Sequence, residues 1–242
     1  DNVYSGAQDV NVIRRYGGRI TALWRPTESL SLKVSALWNL INTESNDLVV
    51  STGSATVVVD GDANIYSVKK SWGAFKQDTA FLPTYQTNLN LYAATLHWNP
   101  GSAEIVSATS WSRNGIHQDH DTGTGSSFPD LSGGTIPAGL SKIQYDTDLE
   151  KFSEDLRISS PPGRRIEWLL GGYYTRESLT DQSAEYAFDT SYRPIAVWAP
   201  FLSFQRIPNT FSQRAVFGDL TWRVTDHINV TGGIRNDHND FS

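Results

Sequence analysis

Cysteine is absent from the 242 residues, so no disulfide framework, thiolate metal site or cysteine nucleophile is available. Methionine is absent as well, and a chain without it is expected to be a processed form or a piece of a longer protein. No apolar run approaches the ~20 residues that a spanning helix requires. The opening Asp1-Asn2-Val3-Tyr4 lacks the charged-then-apolar order of a secretory signal. Positive charge is also short: 20 Lys and Arg stand against 26 Asp and Glu, a formal net of −6. Nucleic acid is therefore not an expected partner, because phosphate binding needs clustered cations that displace counterions. If such a chain enters a membrane, it does so as strands.

What the chain does have is aromatic side chains, 12% of the total with eight Trp, and a two-residue period. Leu30, Leu32, Val34, Ala36, Trp38 and Leu40 alternate with Ser31, Lys33, Ser35 and Asn39, and Leu37 is the one exception. A period of two over a dozen residues predicts a strand and does not fit helical spacing. The same alternation marks Ile228-Asn229-Val230-Thr231-Gly232-Gly233-Ile234-Arg235. Ile166 to Tyr174 carries it less cleanly, broken by Leu169.

These runs pair around Pro26-Thr27-Glu28-Ser29, Asn99-Pro100-Gly101-Ser102, Ser160-Pro161-Pro162-Gly163 and Thr225-Asp226-His227. Pro, Gly, Asn and Asp there set turn dihedrals and end strand pairing. The reading is four hairpins, at about 16–42, 86–118, 150–182 and 211–241, giving eight strands in a single partial barrel domain over 1–242. The connections between hairpins, roughly Thr43–Thr84, Asp119–Thr147 and Ser183–Asn209, are long and polar, which compact soluble domains rarely tolerate. Short turns at one end and long loops at the other predict an all-β, antiparallel, up-and-down transmembrane barrel segment.

The aromatics fall at two heights. Trp24, Trp98 and Trp222 lie beside short turns, while Trp38, Trp111 and the Tyr173-Tyr174 pair lie about nine or ten residues beyond one. At ~3.3 Å per residue and a tilt near 45°, that separation climbs roughly 20–25 Å, the height of a barrel's apolar band. Indole and phenol rings favour both edges of such a band, with one side apolar and the other able to reach headgroups or water. Arg19, Lys33, Arg157, Glu167, Asp219, Arg223 and Arg235 fall on the opposite face, as a wet lumen requires. Leu23 to Leu32 and Thr221 to Val230 repeat one order: aromatic residue, short polar turn, renewed alternation.

Gly18-Arg19-Ile20-Thr21-Ala22-Leu23-Trp24-Arg25-Pro26-Thr27, Phe152 to Ser160, Ala215 to Trp222 and the closing Ile228 to Arg235 resemble barrel strands of TonB-dependent receptors. The resemblance covers most of the chain outside the long loops and lies in the first third or so of such a barrel. It implies a 22-stranded barrel plugged by an N-terminal domain. It also implies energised uptake, through TonB, of a scarce nutrient: a ferric siderophore, vitamin B12, haem or a glycan. The expected location is the bacterial outer membrane. The expected partners are outer-membrane lipid, a small ligand such as a metal chelate, and TonB through parts of the protein not in this sequence. The sequence shows no plug domain, no TonB-contacting segment and too few strands for that barrel, so the remaining strands are expected elsewhere.

Candidate chemistry is thin. His117-Gln118-Asp119-His120-Asp121 has a His-x-x-His spacing with carboxylates, but in a strand residues three apart point to opposite faces, so a solvated loop end is the expectation. Asn236-Asp237-His238-Asn239-Asp240 reads the same way. Asp148, Glu150, Glu154 and Asp155 read as a hydrated loop margin. Gly123-Thr124-Gly125 lacks the Lys and helix of a phosphate loop, and no Gly-x-Ser-x-Gly elbow precedes a helix. No catalytic residue, cofactor or metal site is assigned, substrate contacts stay open, and the chain is not expected to be an enzyme. Two further readings stand beside the transporter segment: a complete eight-stranded barrel for adhesion or envelope anchoring, and a soluble all-β binding module with its tryptophans in a sandwich core.

Overall fold

A computed structural model of the chain describes residues 1–2, 5–44, 79–125, 139–195 and 202–242, together with the backbone of 53–59 and 62–68; side chains of 123–125 are not described. All regular structure among these residues is β. Eight strands form one antiparallel sheet: β1 (Val12–Thr27), β2 (Leu30–Glu44), β5 (Thr84–Trp98), β6 (Glu104–Gly125), β7 (Gly139–Ser159), β8 (Ile166–Phe188), β9 (Ser203–Thr225) and β10 (Ile228–Phe241). Each strand pairs with its sequence neighbours in the order β1-β2-β5-β6-β7-β8-β9-β10. The remaining two, β3 (Gly53–Val59) and β4 (Asp62–Val68), make a separate hairpin within the connection from β2 to β5. β1 and β10 do not pair with each other, so these strands do not close into an eight-stranded barrel.

The register decides which side chains share a face, because directly opposed residues in an antiparallel pair project to the same side. One row runs Ile20–Ala36–Tyr92–Trp111–Phe152, and the next Ala22–Val34–Ala94–Thr109–Glu154–Tyr174. This is the apolar face. Trp24, Trp98, Trp168 and Trp222 border it beside the short turns. Trp38, Tyr92, Trp111, Phe152 and Tyr174 border it farther up. Tyr92 stacks on Trp111 with ring centroids 5.8 Å apart, and Phe152 leans on Tyr174 at 6.2 Å. The other face carries Arg19, Lys33, Arg157, Glu167, Asp219, Arg223 and Arg235.

A conventional interior hardly exists. Among the described residues the buried apolar side chains are Val10, Leu140, Ala184, Ala187 and Ala215. Trp24, Trp38, Tyr92, Leu170, Val216 and Ile234 instead stand outward, the last of them 80% exposed. The described tryptophans are therefore not the core of a sandwich. What holds the sheet is the hydrogen-bond ladder between neighbouring strands, interrupted between the interior strands only by a register shift at Asp121/Gly123 of β6, and the contact of neighbouring side chains within each face.

The short turns follow from local chemistry. Gly101 sits at φ +93° with its N–H donated to the Asn99 side chain at 2.9 Å. Gly163 sits at φ +82° with its N–H donated to Glu167 at 2.6 Å. Both conformations exclude most side chains. At the opposite end the strands run well beyond the alternating segments. β6 continues to Gly125, β7 begins at Gly139, β8 continues to Phe188 and β9 begins at Ser203. Much of what reads as loop in 119–147 and 183–209 is thus paired strand. These extensions carry polar side chains on both faces, so no apolar period marks them.

Two local exceptions also resolve. Leu37 faces Leu91 across the strand pair on the charged face, inside a small apolar patch with Leu89 and Leu149. The Tyr173-Tyr174 pair divides: Tyr174 joins the aromatic border, and Tyr173 projects to the charged face opposite Asp155.

Candidate functional site

The charged face is organised in cross-strand rows. Arg157, Gly171, Phe217 and Arg235 lie opposite one another across β7 to β10. The next row up is Asp155, Tyr173, Ala215 and Asp237. Each guanidinium is held by the aspartate two residues away on its own strand: Arg157 to Asp155 at 2.7 and 2.8 Å, Arg235 to Asp237 at 3.0 Å. Between them stands the Phe217 ring, 5.6 Å from the Arg157 guanidinium and 5.4 Å from that of Arg235. Gly171 leaves room for that ring, since a Cβ there would lie 2.2 Å from its Cζ. Lys151–Glu177 at 2.5 Å and Arg223–Glu167 at 2.7 Å add two more pairs on the same face. Arg19 and Lys33 have no acidic partner among the described residues. The face is wet and largely charge-balanced rather than of one sign.

Farther up, the row changes character to Ile13–Thr43–Tyr85–Gln118–Tyr145–Ser183. His120, one pleat above Gln118, shares a 3.0 Å hydrogen bond with its amide oxygen and packs edge-on against Tyr145 at 5.5 Å. Ile13, Thr43, Tyr85, Gln118 and His120 line a hollow of about 340 Å³. Below it Asn114 Oδ1 and Thr87 Oγ1, on the same face, are buried without a protein partner. Phenol, amide, imidazole and hydroxyl groups that converge here, with the Asp119 carboxylate at the margin of the hollow, can bind a polar ligand by hydrogen bonding and ring contact.

The residues singled out from the sequence separate. His117 and Asp119 project from the side of the apolar face, above its aromatic border, while Gln118 and His120 project to the other. His117 Nδ1 lies 2.6 Å from Asp146 and its Nε2 3.7 Å from Asp119, so the ring bridges two carboxylates. Among the described residues no three His, Cys, Asp or Glu side chains converge as metal ligands would. Asp119 accepts hydrogen bonds from Gln144 at 2.8 Å and Thr84 at 3.1 Å, and lies 3.6 Å from Lys142. Burial pushes its carboxyl up; the Gln144 amide, Lys142, Thr84 and His117 together outweigh that and hold it below the ordinary aspartate range. Asp121 accepts the N–H groups of Ala80 and Phe81, fastening the segment that enters β5.

Asn236 to Asp240 is strand throughout, with Asp237 on the charged face and His238 and Asp240 on the other, where Asp240 takes Arg214 at 3.2 Å. Gly123 to Gly125 is paired strand and not a loop. The acidic run is not a loop margin either. Asp148 and Glu150 flank Arg113 on the outer side, the Asp148 pair being bidentate at 2.5 and 3.0 Å. Glu154 lies on the apolar face between Phe152 and Leu156. The upper row of Tyr85, Gln118 and Tyr145 was not legible in sequence, since its members lie in three strands and only the register joins them.

No protein-family model matches the sequence, and no curated protein does. Solved structures do match. The ferric yersiniabactin uptake receptor FyuA from Yersinia pestis superposes with a TM-score of 0.66 at 14% identity, over 99% of this chain and 32% of that one. The RagAB peptide transporter gives 0.59 at 11% identity, over 94% and 28%. BauA, the ferric preacinetobactin receptor from Acinetobacter baumannii, gives 0.54 at 13% identity, over 98% and 36%. The chain thus spans about a third of the length of these proteins. In fold it is a run of barrel strands of the kind that TonB-dependent receptors build.

Proposed function

We propose that this chain is a single partial barrel domain of a TonB-dependent outer-membrane receptor that takes up a scarce nutrient, such as a ferric siderophore. The apolar face meets lipid, the charged face lines the lumen, and the Tyr85–Gln118–Tyr145 row with His120 lies on the ligand's way in. A plug, the TonB contact and further strands come from parts of the protein outside this sequence. The supporting observation is the register. Between the short turns and the upper aromatic border it puts nearly all ionisable side chains on one face and gathers aromatic residues at both borders of the other, as lipid on one side and water on the other require. Several structural neighbours are named as receptors for ferric siderophores or as a peptide transporter, and none as an enzyme. They support a receptor role and leave the nutrient class as the proposal's own step.

The test uses the full-length gene product. It should fractionate with the outer membrane, show heat-modifiable gel mobility and support growth on a ferric chelate only while TonB is present. Recovery as a detergent-free soluble monomer would defeat the membrane placement. Correct placement with no chelate-dependent growth would leave the barrel and remove the iron substrate.

A further inference from the structure

One pleat below Phe152 of the upper border, the apolar face carries Glu154 on β7, in one row with Tyr174 of that border and, two strands on, Arg214 of β9. Its direct partner on β6 is Thr109, and Ser107 is one pleat nearer the short turns, opposite Leu156. Both hydroxyls donate to the carboxyl, Ser107 to Oε1 at 2.7 Å and Thr109 to Oε2. The direction matters. The upper border, at Phe152 and Trp111, is the nearest place where a carboxylate could reach headgroups or water by stretching out. Glu154 bends the other way, toward Ser107 and the middle of the band.

Strand pairing does not require this arrangement. Elsewhere along this pair β6 and β7 are joined by Ile105 against Ile158, two pleats nearer the short turns, and by Trp111 against Phe152 at the upper border, apolar pairs that face hydrocarbon without loss. An acid in the lipid-facing band is unfavourable, and intramembrane ionisable groups mark contacts or pathways by default. A carboxyl group has acceptor capacity beyond two hydroxyl donors, and here it faces away from the sheet. Beside it, Ala22, Ala36 and Ala94 with Thr109 lower the surface, leaving a hollow of about 490 Å³ walled by Tyr92 and Trp111.

We infer that Glu154, with Ser107 and Thr109, is a lateral contact point for a second membrane-embedded protein that presents a basic side chain at this depth. Charge complementarity selects that occupant. Lipid headgroups sit beyond the aromatic border, and a two-fold pair of copies meeting here would bring carboxylate against carboxylate. The inference rests on the lipid placement proposed above.

The experiment places a benzophenone amino acid at Leu156, and separately at Leu170 on the same face, in the full-length protein in its own outer membrane. Leu156 is expected to give a discrete protein adduct whose crosslinked peptide carries Lys or Arg. Its yield should fall about tenfold or more in Glu154→Leu, as losing one partner of a desolvated charge pair predicts, and be lost in Glu154→Lys. Heat-modifiable mobility checks that each variant folds, and Glu154→Leu suits lipid even where Glu154→Lys does not. Leu170 is expected to give lipid adducts only. The inference is overturned if Leu156 also gives only lipid adducts, if the adduct joins two copies of this chain, if its peptide has no basic residue, or if Glu154→Leu leaves the yield unchanged. Absence of lipid adducts at Leu170 would instead bring down the membrane placement, and this inference with it.

Discussion

The indole of Trp38 lies over Gly18, its directly paired neighbour on β1, so closely that a Cβ at Gly18 would sit 2.3 Å from two ring carbons. The ring shields a stretch of backbone at the upper aromatic border of the apolar face. Gly18→Ala must displace it. Overpacking of this kind costs about 1–3 kcal/mol, read as a lowered urea midpoint for the full-length protein folded into vesicles. Trp38→Ala should remove most of that penalty, so the double variant departs from additivity. Additive effects would mean that the two residues do not meet.

Val34 and Lys33 are neighbours in sequence and point to opposite faces. Val34→Arg places a cation in the middle of the lipid-facing band and is expected to cost about 2–4 kcal/mol in vesicles. Lys33→Leu, on the wet side, should change stability by less than about 1 kcal/mol. Equal penalties, or the reverse order, would show that the faces have been exchanged.

Phe217 is gripped between Arg157 and Arg235. Gly171→Ala drives a methyl into the ring and should lower stability by about 1–3 kcal/mol. Phe217→Leu keeps the volume approximately and loses only the two ring–cation contacts, about 0.5–1 kcal/mol each. Paired unfolding curves separate the two outcomes.

Asp119 fastens Thr84 at the start of β5 and is held below the ordinary aspartate range. A carboxyl with a depressed folded-state pKa contributes stability above its unfolded pKa and loses it as pH falls through the folded one. Exchange protection of the first amides of β5, Thr84 to Gln86, corrected for the intrinsic rate, should therefore hold from neutral pH down through the ordinary aspartate range and fall only below it. Asp119→Asn should remove this dependence. A fall centred near the pKa of a histidine would assign the anchor to His117 instead.

If the upper row guides the ligand, Gln118→Ala combined with Tyr145→Ala should slow growth on a limiting ferric chelate. Heat-modifiable mobility should be unchanged. Ser153→Ala, lower on the same face opposite Thr175, should have little effect. A growth defect of equal size in both would point to general damage and not to a ligand path.

Much of the sheet could be read from the chain because an apolar face backed by a polar one stamps a period of two on each strand. Leu30 to Leu40 is the clearest case, and the faces of Trp24, Lys33 and Arg235 follow from it. Where both faces carry polar side chains, as from Ile116 to Gly125 and from Leu179 to Phe188, alternation fades and paired strand resembles loop. Contacts that depend on register were also out of reach. Glu154 is unremarkable in Phe152-Ser153-Glu154-Asp155-Leu156 until β6 brings Ser107 and Thr109 beside it. Tyr85, Gln118 and Tyr145 become neighbours only once three strands are aligned.

The strands are unequal in length. β6 to β9 hold 22, 21, 23 and 23 residues, whereas β1, β2, β5 and β10 hold 16, 15, 15 and 14. All four long strands stay hydrogen-bonded to their neighbours far above the aromatic border, so this stretch of the sheet is braced by its own ladder where no apolar face supports it.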